Sequence, residues 1–420
     1  MLTAVFILIQ VLIWLFIFPK LEHLHSTRSD ELVYFRYAAL IRHGNIPYRD
    51  FSLEYPPLAL VLFVIPFIFS HTNAGSYISF FHLENLFISC GMVVLLSLWA
   101  WKQSRTPHRV AGVLAIYSLF LCALGSIVET RFDLSVAFII LASLASFLTE
   151  RYFLAWILVG AGIMIKLVPI ILIPLFLIVL YRRGQLLKIW QGLLICASTI
   201  LIIALPFLAA SPSGFMSFLS YHDKRPIEIE STWAVAIMLW AKIDHNYLIT
   251  TINSFASRNV VSQGTDLLAL LSFPVTALFL LLLYFSFFRQ SGCFQMQNSQ
   301  DLIYEDLIVR FSLVAIAIFI LFGKVFSPQF LIWLLPLAAM VQTRRRIIIP
   351  FFLAIFLLTQ FEYPFHFGNL IKQSTVMLLI LAIRVMLIAT STILMTKRTR
   401  FLRKTIEDVS TNHDSQVKRS

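Results

Sequence analysis

Charge is what this 420-residue chain has least of: 13% of its residues are Asp, Glu, Lys or Arg, whereas a soluble domain carries about a quarter. No water-soluble core absorbs a composition so poor in charge. Glycine is scarce as well, 14 residues in all, and no Gly-rich phosphate loop occurs among them. No polar stretch is long enough to house a nucleotide-binding α/β domain. Cysteine is limited to Cys90, Cys122, Cys196 and Cys293, which lack metal-ligand spacing; the first three lie in apolar runs, where they pack as small hydrophobes. Neither a metal nor any other cofactor is expected.

What is abundant is apolar: 59% of residues are hydrophobic and 39 are Phe. Runs of helix-spanning length recur from residue 2 to residue 396, and a bilayer core about 30 Å thick needs roughly 20 such residues per crossing. The fold class expected is all-α, a polytopic transmembrane helical bundle in a cell membrane. Residues 2–19 lack the basic flank and small-residue cleavage site of a secretory signal, so they read as a retained first helix. Further crossings are expected near 77–101, 109–124, 134–149, 187–209, 265–288, 347–361 and 373–396. The shorter apolar piece 57–70, opening after Pro56 and Pro57, reads as an interfacial helix.

The formal net charge of +12 suggests nucleic acid in a soluble protein, but here the basic residues cluster at helix ends and set topology instead. Nucleic acid is not an expected partner. Two segments share one grammar: a basic end, an apolar arm, a lysine beside a proline, a second apolar arm and another basic end. One runs from Arg151 through Lys166 and Pro169 to Arg182 and Arg183. The other runs from Arg310 through Lys324 and Pro328 to Arg344, Arg345 and Arg346. With basic ends in the cytoplasm, both are hairpins whose lysines lie at the outer face. The total is about 12 crossings, some short, with both termini cytoplasmic, the loops 20–76 and 210–264 outside, and a single domain over 1–396. Residues 397–420 form a basic, then polar, tail expected to be disordered.

On that topology the carboxylates near the membrane face outward, among them Asp30, Glu31, Asp50, Glu54, Glu129, Asp133, Asp223, Glu228, Glu230 and Glu362. They share the face with Arg131, Lys166, Lys224, Arg225, Lys324 and His366. Ionisable residues at membrane depth are costly, and such a gathering points to a functional pocket. Without a nucleotide-sugar module, a sugar donor would arrive on a lipid tail, its phosphate needing Lys or Arg at the outer interface.

The stretch SDELVYFRYAALIRHGNIPYRDFSLEYPPLAL, with Asp30, Gly44, Pro47, Tyr48, Glu54, Tyr55, Pro56 and Pro57, is followed by TRFD (130–133), IKLVP (165–169), HDKRPIEIEST (222–232), KVFSPQFLIWLLP (324–336) and FEYPF (361–365). This ordered set resembles the polyprenyl-phosphate-sugar-dependent glycosyltransferases of the C-type membrane superfamily, and most closely the mannosyltransferase-like glycosyltransferase family 87. The resemblance implies inverting transfer of a sugar, often mannose, from a polyprenyl monophosphate to a lipid or glycan acceptor outside the cytoplasm. It places the catalytic base at Asp30, and a carboxylate suits removal of the acceptor's hydroxyl proton. Glu54, Tyr55, Arg131, Asp133, Lys166, Arg225, Glu228, Lys324, Gln329, Glu362 and His366 are the substrate-binding candidates. Membrane lipids are the remaining partners.

Each assignment has a plainer reading. Asp30 suits a helix N-cap, Lys166 and Lys324 suit snorkelling from short helices, and Arg131 and Asp133 suit pairing with other charges of the same face. Arg384, mid-helix among apolar residues, suits an ion pair inside the bundle. A metal is disfavoured because Asp30 is followed by Glu31 with no Asp-x-Asp pair in the loop. The rival function is a transporter or flippase for a lipid-linked saccharide, and a catalytically inactive accessory subunit is the third possibility.

Overall fold

The computed structural model describes residues 1–24, 29–70, 72–292, 301–342 and 345–397. Cys293, Arg344 and the tail beyond Lys397 lie outside the described residues. In a bilayer every backbone N–H and C=O must be satisfied within its own segment, so apolar runs become helices. Helix α1 (Leu2–Leu12) continues through a π-helical turn at Ile13–Ile17 into α2 (Phe18–Leu24). Next come α3 (Ser29–Arg42), α4 (Ala59–Ser70), α5 (Ala74–Ser104) and α6 (Pro107–Leu124). The Asn73 side chain caps α5 by accepting from the Ser76 N–H at 2.9 Å.

The middle of the chain forms α7 (Asp133–Leu148), α8 (Tyr152–Ile165), α9 (Leu172–Arg182), α10 (Leu186–Ala210), α11 (Pro212–Lys224) and α12 (Thr232–Ile243). A two-stranded antiparallel hairpin of β1 (Ile249–Ser254) and β2 (Ser257–Ser262) follows. The remainder is α13 (Thr265–Ser291), α14 (Asp301–Phe322), α15 (Leu335–Met340), α16 (Arg345–Gln360), α17 (Phe367–Ile371) and α18 (Thr375–Thr396).

Among the described residues seven helical stretches are long and apolar enough to cross a membrane: Leu2–Leu21, Ala74–Ser104, Pro107–Val128, Leu186–Ala210, Thr265–Ser291, Arg345–Ile371 and Thr375–Thr396. Between them lie the shorter apolar stretches Asp133–Leu148, Tyr152–Ile165, Val168–Arg182 and Pro328–Met340. Helix α14, equally long but outside that set, carries Glu305, Asp306 and Arg310. The architecture is therefore an all-α multi-pass membrane protein with several further apolar helices too short to span.

Helices α7 and α14 and the segment Pro328–Met340 are almost wholly buried and form the centre of the bundle. By contrast α10 and α13 turn Leu194, Ile202, Leu270 and Phe273 outward, each about 70–80% exposed, as lipid-facing helices do. Helix α4 occupies the predicted 57–70 and packs on α3 and α5 with Phe63 and Phe67 buried. The expected outer loop 210–264 is more structured than its sequence suggests. Helix α12 and the hairpin enclose a small core of their own, in which Ile227, Ile229, Met238 and Val260 meet Leu378 and Leu381 of α18.

Both lysine–proline segments break where expected. Helix α8 ends at Lys166, whose backbone is extended (φ −159°, ψ 138°), and a 3₁₀ turn at Val168–Ile171 leads into α9. Helix α14 ends at Phe322, and a 3₁₀ stretch at Pro328–Leu334 leads into α15. Pro169 and Pro328 sit in the first positions of these turns, where a missing N–H costs nothing.

Candidate functional site

The site is assembled around the turn joining α6 to α7. Gly125 ends α6 at φ 73°, a backbone that favours glycine, and lies against the side-chain amide of Gln360 at the end of α16. The chain then runs inward through Glu129, Thr130 and Arg131 to the start of α7.

Arg131 is 3% exposed and is held by its neighbour Thr130 and by three separate segments. Its Nε lies 3.0 Å from Asp30 Oδ2 and donates to Gln329 Oε1 at 2.8 Å. One terminal nitrogen donates to the Thr130 carbonyl at 3.1 Å and the other to the Tyr363 hydroxyl at 3.1 Å. Asp30 sits in the first turn of α3 and not before it, a position that suits an acidic residue through the helix dipole. Its side chain remains 30% exposed, against 4% for that of Arg131. Tyr363 reaches Arg131 because the chain between α16 and α17 is broken there, with an extended backbone at Tyr363 (φ −119°, ψ 123°).

At the first residue of α7, the two broken lysine–proline segments meet. Asp133 is fully buried, and its Oδ1 accepts from Lys166 Nζ and from the Trp333 indole, both at 2.7 Å. The Lys166 ammonium also lies 4.9 Å from the Phe132 ring centroid and 5.1 Å from those of Phe330 and Trp333, a favourable cation–π environment.

A second charged cluster abuts the first. Arg384 of α18 is fully buried, 3.4 Å from Glu362 Oε2 and 3.7 Å from Glu230 Oε1, with its guanidinium 4.4 Å from the Phe326 ring centroid. The Glu230 and Glu362 carboxyls thus share one guanidinium. Glu228 Oε2 accepts the N–H groups of Phe326 and Glu230, both at 3.3 Å, and the Glu228 N–H donates to the Lys324 carbonyl at 2.9 Å. Burial raises the Glu228 carboxyl above the usual carboxylate range, and it raises Glu230 further with help from the neighbouring Glu362 and Glu228 charges. Lys324 is only half-buried; its Nζ donates to the Asp223 carbonyl at 2.6 Å. Arg225, nearby in charge, has a buried Nε with no hydrogen-bond partner.

A model of glycosyltransferase family 87 matches residues 53–293, more than half of the chain. The chain belongs to that family. It is a membrane glycosyltransferase, and no curated protein matches it. The matched region includes Glu54, Tyr55, Arg131, Asp133, Lys166, Arg225 and Glu228, while Asp30, Lys324, Gln329, Glu362 and His366 lie on either side of it.

The remaining candidates of this family 87 enzyme fall in different places. Tyr55 joins an aromatic wall with Tyr34, Phe63 and Phe132, their ring centroids 5.1–6.2 Å from its own. The Glu54 carbonyl accepts from His222 Nε2 at 3.1 Å. Burial, aided by Arg225, pushes the His222 imidazole down to about 4, so it is neutral near pH 7. His366 belongs to neither cluster; its Nδ1 donates to the Phe361 carbonyl at 2.8 Å and its ring stacks on Phe361.

Sequence reasoning did not single out Tyr363 or Trp333 as members of these networks, nor His82, whose Nε2 lies 2.5 Å from Glu31 Oε1 beside Asp30. His82 is the one that carried a signal, an ionisable residue inside the apolar run of α5.

Proposed function

We propose that this glycosyltransferase moves a sugar, with mannose the first candidate, from a polyprenyl monophosphate to a lipid or glycan acceptor on the extracytoplasmic side, inverting the anomeric centre, with Asp30 as general base. The observation that carries this reading is the Asp30–Arg131 pair. It stands where the first outer segment, the α6–α7 turn, the second hairpin and the α16–α17 break converge, and Asp30 is its accessible member. The acceptor hydroxyl gives its proton to the Asp30 carboxylate as its oxygen attacks the anomeric carbon, and the carbon–oxygen bond to phosphate breaks behind it.

The leaving polyprenyl phosphate gains negative charge, which a preorganised cation stabilises. Arg131 and Lys166 are already engaged by Asp30, Gln329, Tyr363 and Asp133. Lys324 and Arg225 are the better phosphate partners, because Lys324 spends its ammonium on a backbone carbonyl and Arg225 keeps a nitrogen unpartnered. The sidedness follows from charge: the arms leading away from Lys166 end in Arg151, Arg182 and Arg183, and such basic ends favour the cytoplasm. Membrane lipids deliver the donor sideways into the outer half of the bundle.

The test is transfer by purified protein from a panel of polyprenyl-phosphate sugars, read as release of polyprenyl phosphate. Asp30→Asn should bind donor yet lose about 100- to 10,000-fold in rate, the usual cost of losing a general base. A folded Asp30→Asn protein within a few fold of wild type removes Asp30 as base. If Glu54→Gln is inactive in the same assay, the role passes to Glu54.

A further inference from the structure

Beside the Asp30–Arg131 pair lies a buried arrangement that the proposed chemistry does not use. His82, on α5, points one ring nitrogen at each of two carboxylates: Nε2 is 2.5 Å from Glu31 Oε1 and Nδ1 is 3.8 Å from Glu129 Oε2. Glu31 is fully buried and Glu129 is 1% exposed. One helical turn further along α5, Asn85 Nδ2 donates to the Glu129 carbonyl at 2.8 Å. A carboxylate only accepts hydrogen bonds, so the short contact requires the imidazole to donate to Glu31.

The chain positions give this arrangement its meaning. Glu31 follows Asp30 directly in the first turn of α3, and Glu129 precedes Arg131 by two residues in the α6–α7 turn. One imidazole therefore bonds the segment that carries Asp30 and stands within ion-pair range, 3.8 Å, of the segment that carries Arg131, the two residues that meet at 3.0 Å. Taking this together with the base role proposed above, on which it rests, we infer that His82 is a positioning residue for Asp30. It does not touch the reacting atoms. It sets where the Asp30 carboxylate stands, and a general base acts only within about 2.6–3.2 Å of the proton it removes.

Displacing a reacting group by about 1 Å costs on the order of 100-fold in rate. His82→Gln, which reaches one carboxylate but not both, should lower kcat by about 10- to 100-fold and leave KM for the donor within about twofold. Purified full-length enzyme, a polyprenyl-phosphate mannose as donor and a membrane-lipid extract as acceptor serve for that measurement. A purely structural histidine would instead lower the amount of folded protein and leave the kcat of the folded fraction unchanged.

A second measurement needs no turnover. Asp30 is labelled with a water-soluble carbodiimide and quantified by peptide mass spectrometry, and release from Arg131 should raise its labelling several-fold in His82→Gln. Glu129→Gln, nearly isosteric, should show both effects in weaker form and replaces His82→Gln if that variant does not fold. Unchanged kcat together with unchanged Asp30 labelling overturns the inference. If wild-type protein transfers no sugar from any donor, the proposed function fails, and the labelling still decides whether His82 holds Asp30.

Discussion

Lys166→Met separates a structural lysine from a phosphate-binding one. The Lys166 ammonium is 2.7 Å from Asp133 Oδ1, and Asp133 has no exposed surface. Its Oδ2 has no hydrogen-bond partner, so the lysine supplies most of what compensates that buried charge. Removing one member of a buried pair typically costs about 3–5 kcal/mol, because the other charge is stranded. A domain's whole stability is about 5–15 kcal/mol. The variant should therefore unfold well below wild type in a detergent thermal-unfolding assay and lose folded yield on size exclusion. The double variant Lys166→Met with Asp133→Asn removes the stranded charge and still offers an oxygen to the Trp333 indole N–H, so most of the loss should return. If Lys166→Met is as stable as wild type and loses only donor affinity, the pair is not structural and Lys166 is the phosphate ligand after all.

Three further outcomes follow from the same geometry. Lys324→Met should keep its fold and lose about 10- to 100-fold in kcat/KM, with donor affinity falling as well, since the cation meets charge before and during transfer; donor titration checks this. Glu228 titrates higher in the folded protein than in the unfolded chain, so the folded form binds its proton more tightly and the associated stability is lost as pH rises through the folded value. Glu228→Gln should match wild type at pH 5 and be the more stable protein at pH 9, as unfolding at the two pH values will show. Arg384→Met should sharply reduce folded yield by leaving Glu230 and Glu362 without their cation, and adding Glu362→Gln should recover part of it.

The helices were legible in the sequence because an apolar run of a given length has one way to satisfy its backbone in lipid. Residues 187–209 and 373–396 need only that rule, and they appear as α10 and α18 with ends shifted by a residue or two. The breaks at Lys166 and Lys324 were also legible, from a lysine and a proline together inside an apolar run; proline alone was no guide, since α4, α10, α13 and α16 run through Pro66, Pro206, Pro274 and Pro350. The hairpin at Ile249–Ser262 was not. Its ITTINS and SRNVVS strands are too polar and short to stand out, and they are fixed by distant contacts such as the bridge between Glu228 and Asn259. The site divided in the same way. Its residue types could be read, because ionisable groups are conspicuous in an apolar chain. Their pairing could not, because Asp30 meets Arg131, and Glu230 meets Arg384, across more than a hundred residues, and no local pattern records such a choice of partner.

The position of Lys166 at the C-terminal end of α8 has a further consequence. The last carbonyls of a helix carry partial negative charge equivalent to about half an electron, and Lys166 is the residue that closes α8. Its ammonium is thus partly neutralised by its own helix before any side chain is counted. Asp133 is its mirror image, the first residue of α7, where unpaired N–H groups present partial positive charge. Each member of the pair is thus supported by a helix end as well as by its partner, which anchors the two helices end to end. Lys324, two residues beyond the end of α14 and bonded only to a backbone carbonyl, has no such carboxylate against it among the described residues.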